Sequence, residues 1–455
     1  MSLGCAFCCV FVALLVFCCN EIFCLCPSME AKRLCSLVAF VSAALALVCA
    51  VHAAGAGVIA VDDAGAIQIN STDPATQPVL VNGFDVLSLA AEQASVIKEQ
   101  ELLLVRHNAT LNEQLSSLDE QSRYIATLKE RVCRLRQPNL QHIQGAGEGT
   151  HKWAGGVLAP DGRIFGVPLS ATAVLIIDPV TNTLDKTTIT GLPAGTGKWH
   201  DGVLAPNNNI IYCFPANEDG VLRIDPATST ADWTTITGAG SQLGKFKSGV
   251  LYSNGLIYGI PHAADFVLII DPATNTIDTT TLGGISSGGG TWQGAVVSPD
   301  GRIFGLPHSA DAVLIVDPST GTTDTTSIAG FGTADGKWLG GVLASNGLIY
   351  GIPFQRNAVL IINPESMTTD VTSIAAPSGG KKWIGAVLAP NGNVVGIPHS
   401  ADTVLIVDPD TNSADTIPDA GAGGLKYVGG VLAPNGLIYA IPSQAAAVLV
   451  IDTGC

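Results

Sequence analysis

The sequence predicts an all-β fold, a seven-bladed β-propeller spanning residues 139–455. Three observations predict it. A unit of 44 to 47 residues recurs seven times, marked by an aromatic anchor at Trp153, Trp199, Phe246, Trp292, Trp338, Trp383 and Tyr427. Each unit carries four strand signals, and no helical period runs inside it. The seventh unit stops one strand short, at Val448-Leu449-Val450-Ile451-Asp452, while a strand-like segment, Leu140-Gln141-His142-Ile143, stands unused upstream of the first.

The first strand of a unit reads Gly-Gly-Val-Leu-Ala, as at Gly340–Ala344. Its glycines place it innermost, where strands crowd around the axis. An Asn-Gly or Asp-Gly pair follows in six units, as at Asn346-Gly347 and Asp300-Gly301. Such pairs accept the positive φ of a two-residue hairpin. Unit 2 carries Asn207-Asn208-Asn209 instead. The second strand reads Leu-Ile-Tyr-Gly-Ile-Pro. The third, Val-Leu-Ile-Ile-Asp, is a continuous apolar run, as expected of a strand covered on both faces. Pro follows its final Asp in most units and ends the ladder. The Thr-rich Asp-Thr-Thr-Thr-Ile stretch is expected to be the outer strand, facing water.

Ring closure follows from spacing. Ten residues separate the last apolar residue of strand four from the next anchor at Ile189 to Trp199, Ile328 to Trp338 and Ile417 to Tyr427, and Ile143 to Trp153 repeats that interval. Leu140–Ile143 is therefore expected to pair with Val448–Ile451 and complete the last blade, leaving no open edge. The same register puts Cys133 and Cys455 in one cut turn, so a disulfide between them is expected in an oxidising compartment.

The string Val-Leu-Ile-Ile-Asp-Pro-Ala-Thr-Asn-Thr at 267–276, with Asn-Gly-Leu-Ile-Tyr before it, resembles YVTN-type and NHL-type seven-bladed propellers and their streptogramin-lyase and gluconolactonase relatives. The resemblance covers residues 139–455 and concerns fold. It implies an axial metal held by carboxylates and amides in the gluconolactonase relatives. This chain departs from that pattern: the inward positions read Gly155, Gly202, Ser248, Gly294, Gly340, Gly385 and Gly429, with no acidic and amide set to carry over. No metal and no cofactor are therefore expected.

Residues 1–53 are a hydrophobic N-terminus. Met29-Glu30-Ala31-Lys32-Arg33, the apolar run Leu34 to Val51 and the ending Val51-His52-Ala53 form a secretory signal with Met29 as its start, or an uncleaved membrane anchor. Residues 54–85 read as a short β-like linker. Residues 86–137 contain no Pro or Gly, and Ile97, Leu104, Leu111, Leu118 and Ile125 recur every seven residues. They predict one long amphipathic helix, either a coiled-coil stalk that joins copies of the chain or a helix packed on the propeller. Asn70 and Asn108 open glycosylation sequons. The chain is thus placed in the secretory pathway, extracellular or membrane-anchored.

The formal net charge of −16 argues against nucleic acid as a partner. No nucleophilic-serine motif, phosphate loop or paired-cysteine metal motif occurs. The turns after strands two and four share one rim, and two repeated polar features meet there. Lys precedes six anchors, including Lys198 and Lys337, and the turn after Gly-x-Pro carries His262, His308 and His399. They make either a polar funnel for a peptide or carbohydrate, or a ring of Lys–Asp pairs stapling neighbouring blades. On the funnel reading, reversing Lys198 and Lys337 to Glu is expected to weaken binding without unfolding. His200-Asp201 is the one polar pair at an inward strand and could form half of an acid–base site, with no third catalytic partner identifiable. The sequence reads as a recognition or scaffold protein binding a protein or glycan. A lyase or hydrolase at the funnel is the alternative, and a structural surface protein the third.

Overall fold

A computed structural model describes residues 59–61, 67–69, 80–81, 84–133, 137–285 and 290–454. The hydrophobic N-terminus, the Asn70 sequon and Cys455 lie outside the described residues, as does the side chain of Cys133, and with them the expected signal and disulfide. The chain divides into two units, residues 1–127 and 128–455.

In the first unit, Ile59–Val61 pairs antiparallel with Ile67–Ile69, and Leu80–Val81 with Phe84–Asp85. Helix α1 then runs from Val86 to Cys133, 48 residues. Leu104, Leu111, Leu118 and Ile125 of the heptad stripe are all exposed. Asn108 is also exposed, on the same helix.

The second unit is a seven-bladed β-propeller of seven four-stranded antiparallel sheets. The closing strand is where the spacing places it. Asn139–Gln144 pairs with Ala447–Asp452, with Leu140 opposite Ile451 and Ile143 opposite Val448. The third strands are largely buried, and in blade 1 Leu175–Asp178 is buried up to its final residue.

The fourth strands differ from expectation. They are only three residues long in blades 1 to 5, Thr183–Asp185 in blade 1, and the Thr-rich run lies beyond them. The cause is the Asp that ends each strand. Asp185 accepts the backbone N–H of Thr187 and of Thr188, turning the chain where a ladder would continue. Asp232, Asp278, Asp324 and Asp370 repeat this cap. The Asp or Asn that ends strand three caps its own turn likewise, as Asp178 does for Val180. Much of the acidic excess is thus spent holding outer turns.

The hydrophobic core is not central. Among the described residues it lies chiefly in seven clusters, one in each interface between neighbouring blades, with a smaller eighth near the axis, and each anchor packs onto the blade before it. Trp199, fully buried, sits with Phe165, Val174 and Ile189 of blade 1 and donates its indole N–H to Gly220 O at 2.7 Å. On the hairpin-turn face, polar groups reach across the same interfaces. Arg163 donates to Pro226 O, Arg302 to Pro364 O, and Asn435 to Pro179 O across the seam.

Candidate functional site

Strand one enters each blade at the rim, so the residue after each anchor is the first to face the axis. Read around the ring, these residues are Ala154, His200, Lys247, Gln293, Leu339, Ile384 and Val428. Blades 2 to 4 present donors and titratable groups. Blades 1 and 5 to 7 present apolar side chains, and Ala154, Leu339, Ile384 and Val428 pack with Phe354 into one buried cluster. A funnel of about 140 Å³ opens between the two halves.

Below this ring the backbones nearly touch. A Cβ on Gly340 would lie 2.6 Å from the Gly385 Cα, and one on Gly385 would lie 3.0 Å from the Gly429 Cα. Both glycines have positive φ. In blade 2 this position belongs to Asp201, two residues after its anchor, and not to Gly202. The ladder between strands one and two slips by a residue between His200 and Gly202. Asp201 keeps the left-handed conformation of the glycines it replaces, with φ of 56°. A non-Gly residue held there is strained, and such strain concentrates at functional sites.

The electrostatics follow from enclosure. His200, Asp201 and Lys247 are half-buried by accessible surface, yet protein surrounds them. Burial pushes the Asp201 carboxyl up to about 7, against a hydrogen bond from the Gly202 N–H. Burial lowers the Lys247 ammonium to about 8, with Asp335 acting in the opposite direction. It lowers His200 to about 3, helped by the Lys247 charge. Nδ1 of His200 is buried without a hydrogen-bond partner among the described residues. Lys247 and Gln293 make no side-chain hydrogen bond or ion pair among the described residues.

His262 and His308 join this side of the funnel. Their rings meet edge to face at 5.0 Å, because the rim turns converge toward the axis instead of keeping the wider spacing of stacked sheets. His262 Nδ1 lies 3.2 Å from Trp292 O. His308 Nδ1 lies 2.8 Å from Gly290 O and 3.2 Å from Asp335. Desolvation lowers both imidazoles, so both are neutral at pH 7. His399 sits apart, against Phe354, with Nδ1 near Lys381 O and Ser400 Oγ.

The repeated lysines are not paired with Asp. Lys198 and Lys337 are fully buried. Lys198 donates to Ala171 O of the preceding blade at 3.0 Å and to Gly195 O, and Lys337 to Ala334 O. Lys245, Lys382 and Lys426 likewise donate to backbone carbonyls of the blade before. Thr291, which replaces Lys in blade 4, reaches Pro261 O and His262 O with its hydroxyl. Asp219 and Asp311 instead cap the exit of strand four, accepting from Gly238 and Gly240 and from Gly332 respectively. The lysine ring staples blades, through carbonyls that a sequence cannot display.

No family model matches the chain, and no curated protein matches it. Solved structures do. A streptogramin B lyase structure is similar over 69% of this chain and 97% of that one, at 10% identity and TM-score 0.56. The virginiamycin B lyase of Staphylococcus aureus covers 69% and 99%, at 10% identity and TM-score 0.58. The extracellular domain of a proposed one-component system from B. thetaiotaomicron is similar over 70% of this chain and 43% of that one, at 12% identity and TM-score 0.52. The likeness is one of fold.

The strained carboxyl gives a direct expectation. Asp201→Gly should raise stability by about 1 kcal/mol through relief of the left-handed conformation. The gain should also depend on pH. Asp201 has a folded pKa raised above its unfolded one, so its contribution is intact below about pH 4 and declines as pH rises through about 7. Urea unfolding at pH 5 and pH 8 checks this: the advantage of the variant should be larger at pH 8. An equal or smaller advantage there would show that the carboxyl is not held in its neutral form.

Proposed function

We propose that this chain is a recognition protein, secreted or membrane-anchored, that binds a protein or glycan through the rim bearing the funnel mouth. One observation carries the reading. The blades are near copies, yet at the first axis-facing position His200, Lys247 and Gln293 stand together opposite an apolar wall. Three adjacent blades with unpaired polar groups cost stability, which a scaffold alone does not require. The extracellular-domain neighbour supports the secretory placement. The exposed heptad stripe of α1 supports assembly of copies through that helix.

An enzyme acting at the funnel is the second reading, favoured by one observation: a carboxyl near pKa 7 beside a histidine with an unpartnered nitrogen. Recognition is tested by probing a glycan array and a surface-displayed peptide library with the full chain. Lys247→Glu and His262→Ala should abolish the hits, and Asn346→Ala on the opposite face should keep them. Hits lost only with the Asn346 change would overturn the assignment of the face.

A further inference from the structure

We infer that the funnel takes an aliphatic carboxylate, the acid group set against Lys247 and Gln293 and the hydrocarbon against Ile384 and Val428. This rests on the recognition reading and names the ligand chemistry at the same mouth. The polar half supplies donors. Lys247 offers an ammonium with three N–H bonds and no acceptor, Gln293 an amide with no partner, and both line the cavity. Adjacent blades place them side by side, which suits two oxygens on one carbon.

Two carboxyls lie nearby, and Asp201 also lines the cavity. Asp201 Oδ1 accepts from Gly202 N–H and lies toward Gly155 of the neighbouring blade. Asp335 sits out at the rim, accepting from Ser309 Oγ at 2.5 Å and close to His308. It attracts Lys247 without forming an ion pair among the described residues. A ligand carboxylate entering the funnel would therefore meet a cation whose charge is enclosed and unscreened by a bonded counterion.

The apolar half fixes the rest of the ligand. Ile384 and Val428 line the cavity on this side, backed by Leu339 and Phe354 in the buried cluster. A sugar ring favours broad aromatic platforms, and no Trp, Tyr or Phe lines the cavity among the described residues. A branched aliphatic chain fits both the lining and the volume of about 140 Å³. Such an acid exists either as the last residue of a peptide or as a free short-chain acid.

Calorimetric titration of the full chain tests the inference with three probes: acetyl-Gly-Gly-Leu as the free acid, the same peptide as its C-terminal amide, and 4-methylpentanoate. The acid peptide should bind at least about tenfold more tightly than the amide, the loss expected when a charge-assisted bond is removed. Lys247→Met should erase that preference, and Gln293→Met should reduce it, both without loss of thermal stability, since neither side chain bonds to another described residue. Binding of 4-methylpentanoate as tight as the peptide supports the inference and assigns a free acid. Binding of the peptide alone supports it and assigns a chain end. Equal binding of acid and amide, an acid preference that survives Lys247→Met, or no binding of either acid at about 1 mM overturns it. The library and face-swap test above still decides the recognition reading by itself.

Discussion

Removing residues 139–145 should destabilise the propeller by on the order of 5 kcal/mol, taking about 1 kcal/mol for each lost ladder bond, and should lower the melting midpoint by roughly 10 °C or more. The deletion strips Asn139–Gln144 from Ala447–Asp452, a strand that is buried throughout except at its final residue. Val448 and Val450 would then border an open edge, with unpaired backbone groups available to other chains. Melting should become concentration-dependent as edges pair between molecules. Differential scanning at several protein concentrations checks both points. A truncation that melts with the full chain at every concentration would show that the seam does not secure the ring.

Lys198→Glu should cost about 3–5 kcal/mol, the range for a buried charge deprived of its partners. Lys198 is fully enclosed, and its ammonium faces Ala171 O and Gly195 O. A carboxylate in its place would meet carbonyl oxygens across the interface of blades 1 and 2. The fold, rather than a ligand, should register the change, which reverses the expectation drawn from the sequence. Lys247→Glu is the comparison: its side chain makes no hydrogen bond or ion pair among the described residues, so it should cost less than Lys198→Glu. Urea midpoints of the two variants check the contrast. If Lys198→Glu melts like Lys247→Glu, the lysine ring is not a staple.

These two lysines show what a sequence displays and what it hides. Blade number, strand order and closure were legible because periodicity records them: the anchors, the turn pairs and the ten-residue interval are all spacings. Partners are not spacings. Lys198 finds main-chain carbonyls, which every residue carries, so nothing in the composition separates a buried staple from a rim cation. Aligning Gly202 with the axial glycines concealed that Asp201 holds that place, although counting two residues from each anchor gives it, and the one-residue slip recurs in every blade. Lys247 and Gln293 were missed although the signal existed. Reading the residue after each anchor in turn gives three polar and four apolar positions, and the two kinds fall in separate arcs. His262 and His308 were found as a repeated feature, but their meeting at 5.0 Å depends on the convergence of turns near the axis.

The closing strand also sets an order in time. On a ribosome Asn139–Gln144 emerges before any blade exists, while its partner begins at Ala447. At the usual pace of translation the interval is roughly 15 to 60 s. During it the strand must stay free of the earlier blades. Its make-up suits that wait, since only Leu140 and Ile143 are apolar, and Asn139, Gln141, His142 and Gln144 remain exposed even after docking. Its low affinity for hydrophobic surface leaves the correct neighbour to be chosen last, by register along a strand that no earlier blade offers unpaired.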